Sequence, residues 1–248
     1  MTSRGNRDAP ASEHRVYWTS QGSVGLPVGI RKLKGFFARY ARRSLRDFPW
    51  RRPGTQPFHL LVAELLLVQT KAEDVARLWP ELVLRYGTPA RLAQARPQEL
   101  IRLLHSLGLQ RQRARALINV ARALVDQNAG EVPHSVDQLL KLPHVGLYAS
   151  TAVASFGFHR RVPIVDTNVV RVFDRITGAQ GIRELRRRGD IWRLAWALLP
   201  RTGAHLHNYG LLDFAATICT LRVPQCETCD LRSICTYGQR RGSPAGKE

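Results

Sequence analysis

Apolar residues recur at helical spacing along most of the chain, and no segment holds the two-residue alternation of a half-buried strand. Ile30, Leu33, Phe36, Phe37, Tyr40, Ala41 and Leu45 fall on one face until Phe48-Pro49 stops the run, which predicts a first amphipathic helix. Pro57 opens an apolar run that reaches about Thr70. Thr88-Pro89 and Arg96-Pro97 have the form of a cap followed by proline at the first helical position, and Gly108 closes the helix begun at Pro97. Residues 110–128 carry Ala114, Leu117, Ile118, Val120, Ala121 and Leu124 on one side, with Arg111, Arg113, Arg115 and Arg122 among them. A short helix at 135–141, a small-residue helix at 148–156 and a helix running from Asp166 to Gly178 follow. This pattern predicts an all-α fold of roughly ten helices with short connections.

Residues 1–29 lack any apolar period and are rich in Ser, Gly, Pro, Arg and Asn, the composition of a disordered basic leader. The remainder shows no internal repeat and no low-complexity linker. With 44% hydrophobic and 23% charged residues in 248, wholesale disorder is excluded. No stretch approaches the roughly 18 consecutive apolar residues of a spanning helix, and the opening residues lack the apolar core of a signal peptide. A cytoplasmic protein with no membrane partner is expected.

Thirty-eight Lys plus Arg against 19 Asp plus Glu leave a formal charge of +19, a field that concentrates polyanions and makes nucleic acid the first partner to consider. Lysine occurs only at Lys32, Lys34, Lys71, Lys141 and Lys247, so nearly all the basic groups are guanidinium.

Leu142-Pro143-His144-Val145-Gly146 joins the 135–141 helix to the small-residue helix that follows. Two helices joined by such a turn present backbone N–H groups at the start of the second, where the dipole and unpaired donors favour a phosphate, as in a helix-hairpin-helix. After Val162-Pro163-Ile164-Val165, Asp166 stands at a cap position. Glu64 is a lone carboxylate in the run Leu60–Val68, and burial there would raise its pKa toward that of a proton donor. The four cysteines are spaced Cys219-x6-Cys226-x2-Cys229-x5-Cys235. Such clustering points to a metal site rather than a disulfide framework, and four thiolates can hold either a 4Fe-4S cluster or one zinc ion.

From Phe48-Pro49-Trp50-Arg51 through Tyr237, the order and spacing of L-P-H-V-G-L-Y, V-D-T-N-V-V-R-V and the cysteines resemble the endonuclease III superfamily of DNA glycosylases. The resemblance implies a two-lobed helix-hairpin-helix glycosylase fold with a C-terminal iron-sulfur cluster loop. Residues 52–160 would form a six-helix domain containing the hairpin, residues 30–51 with 161–238 the cluster-containing domain, and residues 239–248 a tail. It also implies that Asp166 lies beside the sugar of an extruded nucleotide, that His144, Val145 and Gly146 belong to a phosphate-holding turn, and that the cysteines carry a 4Fe-4S cluster, with zinc the alternative. Gln69 and Leu109 match the residues that fill the gap left in the duplex and wedge the opposite strand. Glu64 matches a glutamate found in both the adenine and the thymine/uracil mismatch branches.

Two positions depart from the commonest pattern. His144 stands where glycine is usual, and histidine tolerates unusual backbone angles better than most side chains. Tyr148 stands where strand-cutting members carry a lysine whose amine forms a Schiff base; a phenol forms no imine. The resemblance therefore implies a monofunctional DNA glycosylase acting as a monomer on double-stranded DNA, nucleoid-associated if the source is bacterial. The hairpin tyrosine, the F-P-W-R opening, the A-E-L-L-L run and the N-Y-G-L-L-D-F-A-A-T-I-C stretch look most like the branch that removes thymine or uracil opposite guanine. The chain ends thirteen residues after Cys235, which is expected to leave no room for an 8-oxoguanine recognition domain. An adenine glycosylase without that domain, or a non-catalytic DNA-binding member, are the alternatives.

Overall fold

The computed structural model describes residues 32–178 and 189–242. The expected leader at 1–29 and the end of the expected tail lie outside them. In chain order the helices are α1 (Phe36–Ser44), α2 (Pro57–Leu66), α3 (Ala72–Tyr86), α4 (Pro89–Ala93), α5 (Pro97–Leu103), α6 (Gln110–Asn128), α7 (Val136–Leu139), α8 (Leu147–Gly157), α9 (Thr167–Thr177), α10 (Gly189–Leu198), α11 (Ala204–Thr217) and α12 (Thr236–Gly242). Tighter 3-10 turns occur at Pro49–Arg51, His105–Leu107 and Arg232–Ile234. Among the described residues there is no strand, and no helix is long and apolar enough to cross a membrane. The chain divides into two compact units, one formed by Asp47–His159 and the other by the described residues before 47 and after 159.

The unit Asp47–His159 opens with Phe48 and Trp50 stacked at 5.1 Å, and Trp50 in turn meets Trp79 of α3 at 5.2 Å. Residues 47–51 therefore pack with this unit, although the sequence groups them with the cluster-containing part. Helix α8 packs against α2, and every residue from Ala149 to Phe156 is buried. Its small side chains allow close approach: a Cβ added at Gly157 would lie 3.4 Å from both Leu60 and Pro57. The Ser150 and Thr151 hydroxyls donate to the Gly146 and Leu147 carbonyls at 2.9 and 3.0 Å, so α8 carries polar side chains in its buried interior without orphaned donors. Helices α4 and α5 pack on α6, burying Leu92, Leu100, Leu117 and Leu124, each contributing about 1.5–3 kcal/mol.

Helix α6 spans the residues that periodicity predicts. Helix α2 stops at Leu66 instead of continuing to about Thr70, and Gln69 lies in the left-handed region at φ 56°. The helix begun at Pro97 likewise ends at Leu103, and a 3-10 turn carries the chain to Gly108 at φ 69°.

In the other unit α1 packs against α11. Only glycine fits at position 210, because a Cβ there would sit 1.8 Å from the Phe37 carbonyl oxygen. Phe36, Phe37 and Tyr40 surround Phe214 edge-on at 5.5–5.6 Å. The buried Asp213 carboxylate accepts from the Arg46 backbone N–H at 3.0 Å and from its Nε at 2.9 Å, which anchors the chain leaving α1. Helix α1 begins at Phe36, after Gly35 at φ 77° has turned the chain; Ile30, where the sequence starts the run, lies outside the described residues. Helix α9 lies against α11 and α12.

Candidate functional site

The hairpin forms with the shape its residues require. Leu142 and Val145 are buried and pin the turn, and the Val145 N–H donates to the Leu142 carbonyl at 3.3 Å. His144 takes φ 62°, the left-handed conformation that glycine reaches without strain, and its ring Nε2 lies 3.2 Å from the Asn119 side-chain nitrogen of α6. Its imidazole is thus tied to a second helix at the exposed tip. Gly146 caps α8, and the first turn of that helix leaves N–H groups without intrahelical acceptors. Tyr148 is the second residue of α8 and is half-buried. Glu64, on α2, is only 3% exposed among Leu60, Leu61, Val62, Ala63 and Leu66.

Gln69 and Leu109 share an unusual property. Both are exposed and both hold positive φ, 56° and 49°, at an expected cost of about 1–2 kcal/mol each. Buried Arg113 of α6 reaches both turns. Its Nη1 donates to the Leu66 carbonyl at 2.8 Å, Nη2 to the Val68 carbonyl at 3.0 Å and the Thr70 hydroxyl at 2.5 Å, and Nε to the Gly108 carbonyl at 2.9 Å. These bonds end α2 at Leu66, because carbonyls that would continue the helix are turned toward the guanidinium.

Asp166 is the N-cap of α9. Its Oδ1 accepts the Val169 N–H at 2.7 Å and its Oδ2 accepts the Asn168 side-chain amide at 2.7 Å. Asn168 Oδ1 accepts from Arg171 Nη1 at 2.8 Å, and Arg171, itself 5% exposed, donates from Nε to the Cys219 carbonyl at 3.0 Å and from Nη2 to the Ala215 carbonyl at 2.8 Å. Burial lowers the Arg171 pKa from its ordinary value; Cys219 and Asp166 act in the opposite direction. One turn later, Arg175 donates to Cys219 Sγ at 3.4 Å, to the Thr220 carbonyl at 2.7 Å and to the Leu221 carbonyl at 3.0 Å, with its guanidinium 4.6 Å from the Tyr237 ring centre. Helix α9 therefore both carries the aspartate and supports the cysteine loop.

Cys219, Cys226, Cys229 and Cys235 are free thiols that line one cavity together with Ile176, Phe214 and Leu231. Burial pushes the Cys229 thiol up to about 11 and raises Cys235 as well. N–H groups of Arg175 and Gly238 each lie 3.4 Å from a cysteine sulfur. Among the described residues no three His, Cys, Asp or Glu side chains are arranged to hold a single metal ion. Four soft donors bordering one cavity, with N–H groups directed at two of them, form a donor set of the kind that suits zinc or an iron-sulfur cluster.

Glu64, Gln69, Leu109, His144, Val145, Gly146 and Tyr148 thus belong to one unit, and Asp166 and the four cysteines to the other. Within the first unit the hairpin tip is tied to α6 through Asn119. Within the second, Asp166 is joined to Cys219 through Asn168 and Arg171. Arg113, Asn168 and Arg171 are the residues that the sequence reading does not single out. A signal for Arg113 exists: it precedes Leu117 and Leu124 by four and eleven residues, on the apolar face of α6.

The chain matches the family described as "HhH-GPD superfamily base excision DNA repair protein" over residues 62–194. It is 36% identical over 226 residues to a thymine/uracil-DNA glycosylase of Pyrobaculum aerophilum, covering 87% of this chain and 96% of the relative. It is 39% identical over 197 residues to an adenine DNA glycosylase of Mycobacterium tuberculosis, covering 77% of this chain and 62% of that relative. Among solved structures, a thermostable thymine-DNA glycosylase superposes with a TM-score of 0.80 at 30% identity, covering 86% of this chain and 97% of that one.

Proposed function

This chain belongs to the HhH-GPD superfamily of base excision DNA repair proteins, and from that premise we propose that it hydrolyses the N-glycosidic bond of thymine or uracil mispaired with guanine. It acts on double-stranded DNA and leaves the strand uncut. The observation that carries this reading is the residue pair the motifs supply: a capping carboxylate at Asp166, and a phenol at Tyr148 in place of an amine.

The residues divide the work as follows. The His144-Val145-Gly146 turn and the first turn of α8 hold a phosphate through backbone N–H groups, a contact that fixes register without reading bases. Gln69 fills the space of the extruded nucleotide and Leu109 wedges the other strand, offsetting the few kcal/mol of unstacking. Asp166 faces the sugar as positive charge develops there, either stabilising it electrostatically or deprotonating the attacking water. Its orientation is supported by the bonds from Val169 and Asn168. With a phenol rather than an amine at position 148, water is the nucleophile and an abasic site is the product. Glu64 is the candidate proton donor.

Cys219, Cys226, Cys229 and Cys235 would hold a 4Fe-4S cluster. That group would cross-link the loop that carries Arg222 and Arg232, two guanidinium groups that would be available to phosphate. The cavity bordered by all four sulfurs and the spacing of the cysteines support this reading, with zinc the alternative. The protein works as a monomer in the cytoplasm, on the nucleoid if the source is bacterial.

Incubation with G:T, G:U and A:8-oxoguanine duplexes tests the proposal. Release of thymine or uracil, with strand breakage only after alkali, is the expected result. Release of adenine instead would move the chain to the branch of its mycobacterial relative. Binding without release of any base would overturn the enzymatic assignment.

A further inference from the structure

Gln69 and Leu109 lie forty residues apart, yet one side chain holds both of their turns. The Val68 carbonyl and Thr70 hydroxyl, on either side of Gln69, accept from Arg113 Nη2, and the Gly108 carbonyl, immediately before Leu109, accepts from Arg113 Nε. The Arg113 backbone N–H also donates to the Leu109 carbonyl at 3.0 Å. Arg113 is 7% exposed, and its side-chain acceptors are three carbonyls and a hydroxyl, all in these two turns or at the end of α2.

Turns that served only to end α2 and to start α6 would be made more easily by glycine, which reaches positive φ without strain. Here the strained positions carry a glutamine and a leucine, and Leu109 remains 51% exposed. A guanidinium is a rigid planar fork, so the positions of its acceptors are fixed relative to one another in a way that no flexible ammonium could reproduce.

We propose that Arg113 is the positioning residue for strand penetration: it sets the separation of Gln69 and Leu109, so that both side chains enter the duplex together when a nucleotide is extruded. This rests on the reading above that these two side chains penetrate DNA. Removing the fork lets the turns relax independently, and the two insertions cease to be simultaneous.

The test uses a duplex carrying 2-aminopurine next to a G:U pair, read by its fluorescence rise on mixing and by single-turnover uracil release. Arg113→Met is expected to lower both readouts about tenfold and Arg113→Lys about threefold, fractions of the roughly hundredfold that a full ångström of misplacement can cost. Equilibrium binding to undamaged duplex stays within about twofold, since phosphate contacts supply it. On a Gln69→Ala/Leu109→Ala background, Arg113→Met should change neither readout by more than about twofold, because residues acting through one another are non-additive.

The full loss persisting on that background would overturn the proposal, as would unchanged fluorescence with slowed release, or an Arg113→Met protein equal to the parent. If Arg113→Met does not fold, Thr70→Val carries the test, with a loss of about threefold that disappears on the same background; no loss would count against it. The failures remain distinguishable. Base release by none of the duplexes defeats the assignment as a glycosylase while the fluorescence still tests Arg113. Parental readouts from Gln69→Ala/Leu109→Ala defeat strand penetration by these residues, and this proposal with it.

Discussion

The Asn168 side-chain amide donates to Asp166 Oδ2 at 2.7 Å, so the carboxylate that caps α9 is held on both oxygens, one by the helix backbone and one by a side chain. Capping and orientation can be separated by substitution. Asparagine caps a helix as well as aspartate does but turns an NH2 toward the Asn168 amide, so Asp166→Asn should keep the cap and the DNA affinity, lose the Asn168 bond at a cost of about 1.5–3 kcal/mol, and abolish base release. Asp166→Ala should in addition lose about 1 kcal/mol of stability. Calorimetry and a filter-binding assay check the two arms; a large loss of affinity in Asp166→Asn would count against its place at the sugar. Asn168→Ala removes one bond to a charged group, worth about 1.5–3 kcal/mol, and should slow single-turnover release by about ten- to a hundredfold.

Tyr148→Lys places a primary amine at the position where strand-cutting members carry theirs. The variant should give an adduct trapped by borohydride on a substrate from which the base is released, and the parent protein should give none. A variant that releases base but yields no adduct would show that Tyr148 does not adjoin the sugar.

The purified protein should show the broad visible absorption of an iron-sulfur cluster and about four iron atoms per chain. Cys226→Ser should reduce both. One zinc atom per chain in place of iron would refute the cluster assignment. Because Arg171 and Arg175 of α9 donate to carbonyls of the Cys219–Leu221 segment, loss of the cluster should also lower the thermal stability of the native protein.

Stability should fall in mild acid through His207. This residue is buried against the Phe37 ring at 5.4 Å, its Nδ1 has no hydrogen-bond partner, and burial lowers its pKa from 6.5 to about 4. The unfolded chain therefore binds a proton that the folded chain refuses. The stabilising difference is complete above the unfolded value and is lost as pH falls toward the folded one, amounting to about 3 kcal/mol across that window. Urea unfolding at pH 7.5 and pH 4.5 measures it. His207→Leu should flatten the dependence, and an unaltered slope would show that another group carries it.

Much of the fold is legible in the pattern of residues. The Leu117 and Leu124 stripe predicts α6 to its ends, and Asp166 and Gly178 bracket α9, because cap and stop signals act within a few residues of where they stand. The end of α2 is not legible in the same way. Leu65 to Val68 read as continuous helix, and the chain turns only because Arg113, forty-seven residues beyond Leu66, takes the carbonyls.

The candidate site divides along the same line. Motif order and spacing alone nominate Asp166, Tyr148, the hairpin and the four cysteines, since each owes its chemistry to its own side chain or to a local turn. The strained φ at His144 belongs to this part too, because the turn demands it and the neighbouring residues supply the turn. The chain of bonds from Asp166 through Asn168 and Arg171 to Cys219, and the grip of Arg113 on the turns of Gln69 and Leu109, came only with tertiary structure. The reason is physical. An arginine in a sequence is a charge with several donors and no stated acceptors, and which carbonyls it meets depends on how distant helices pack.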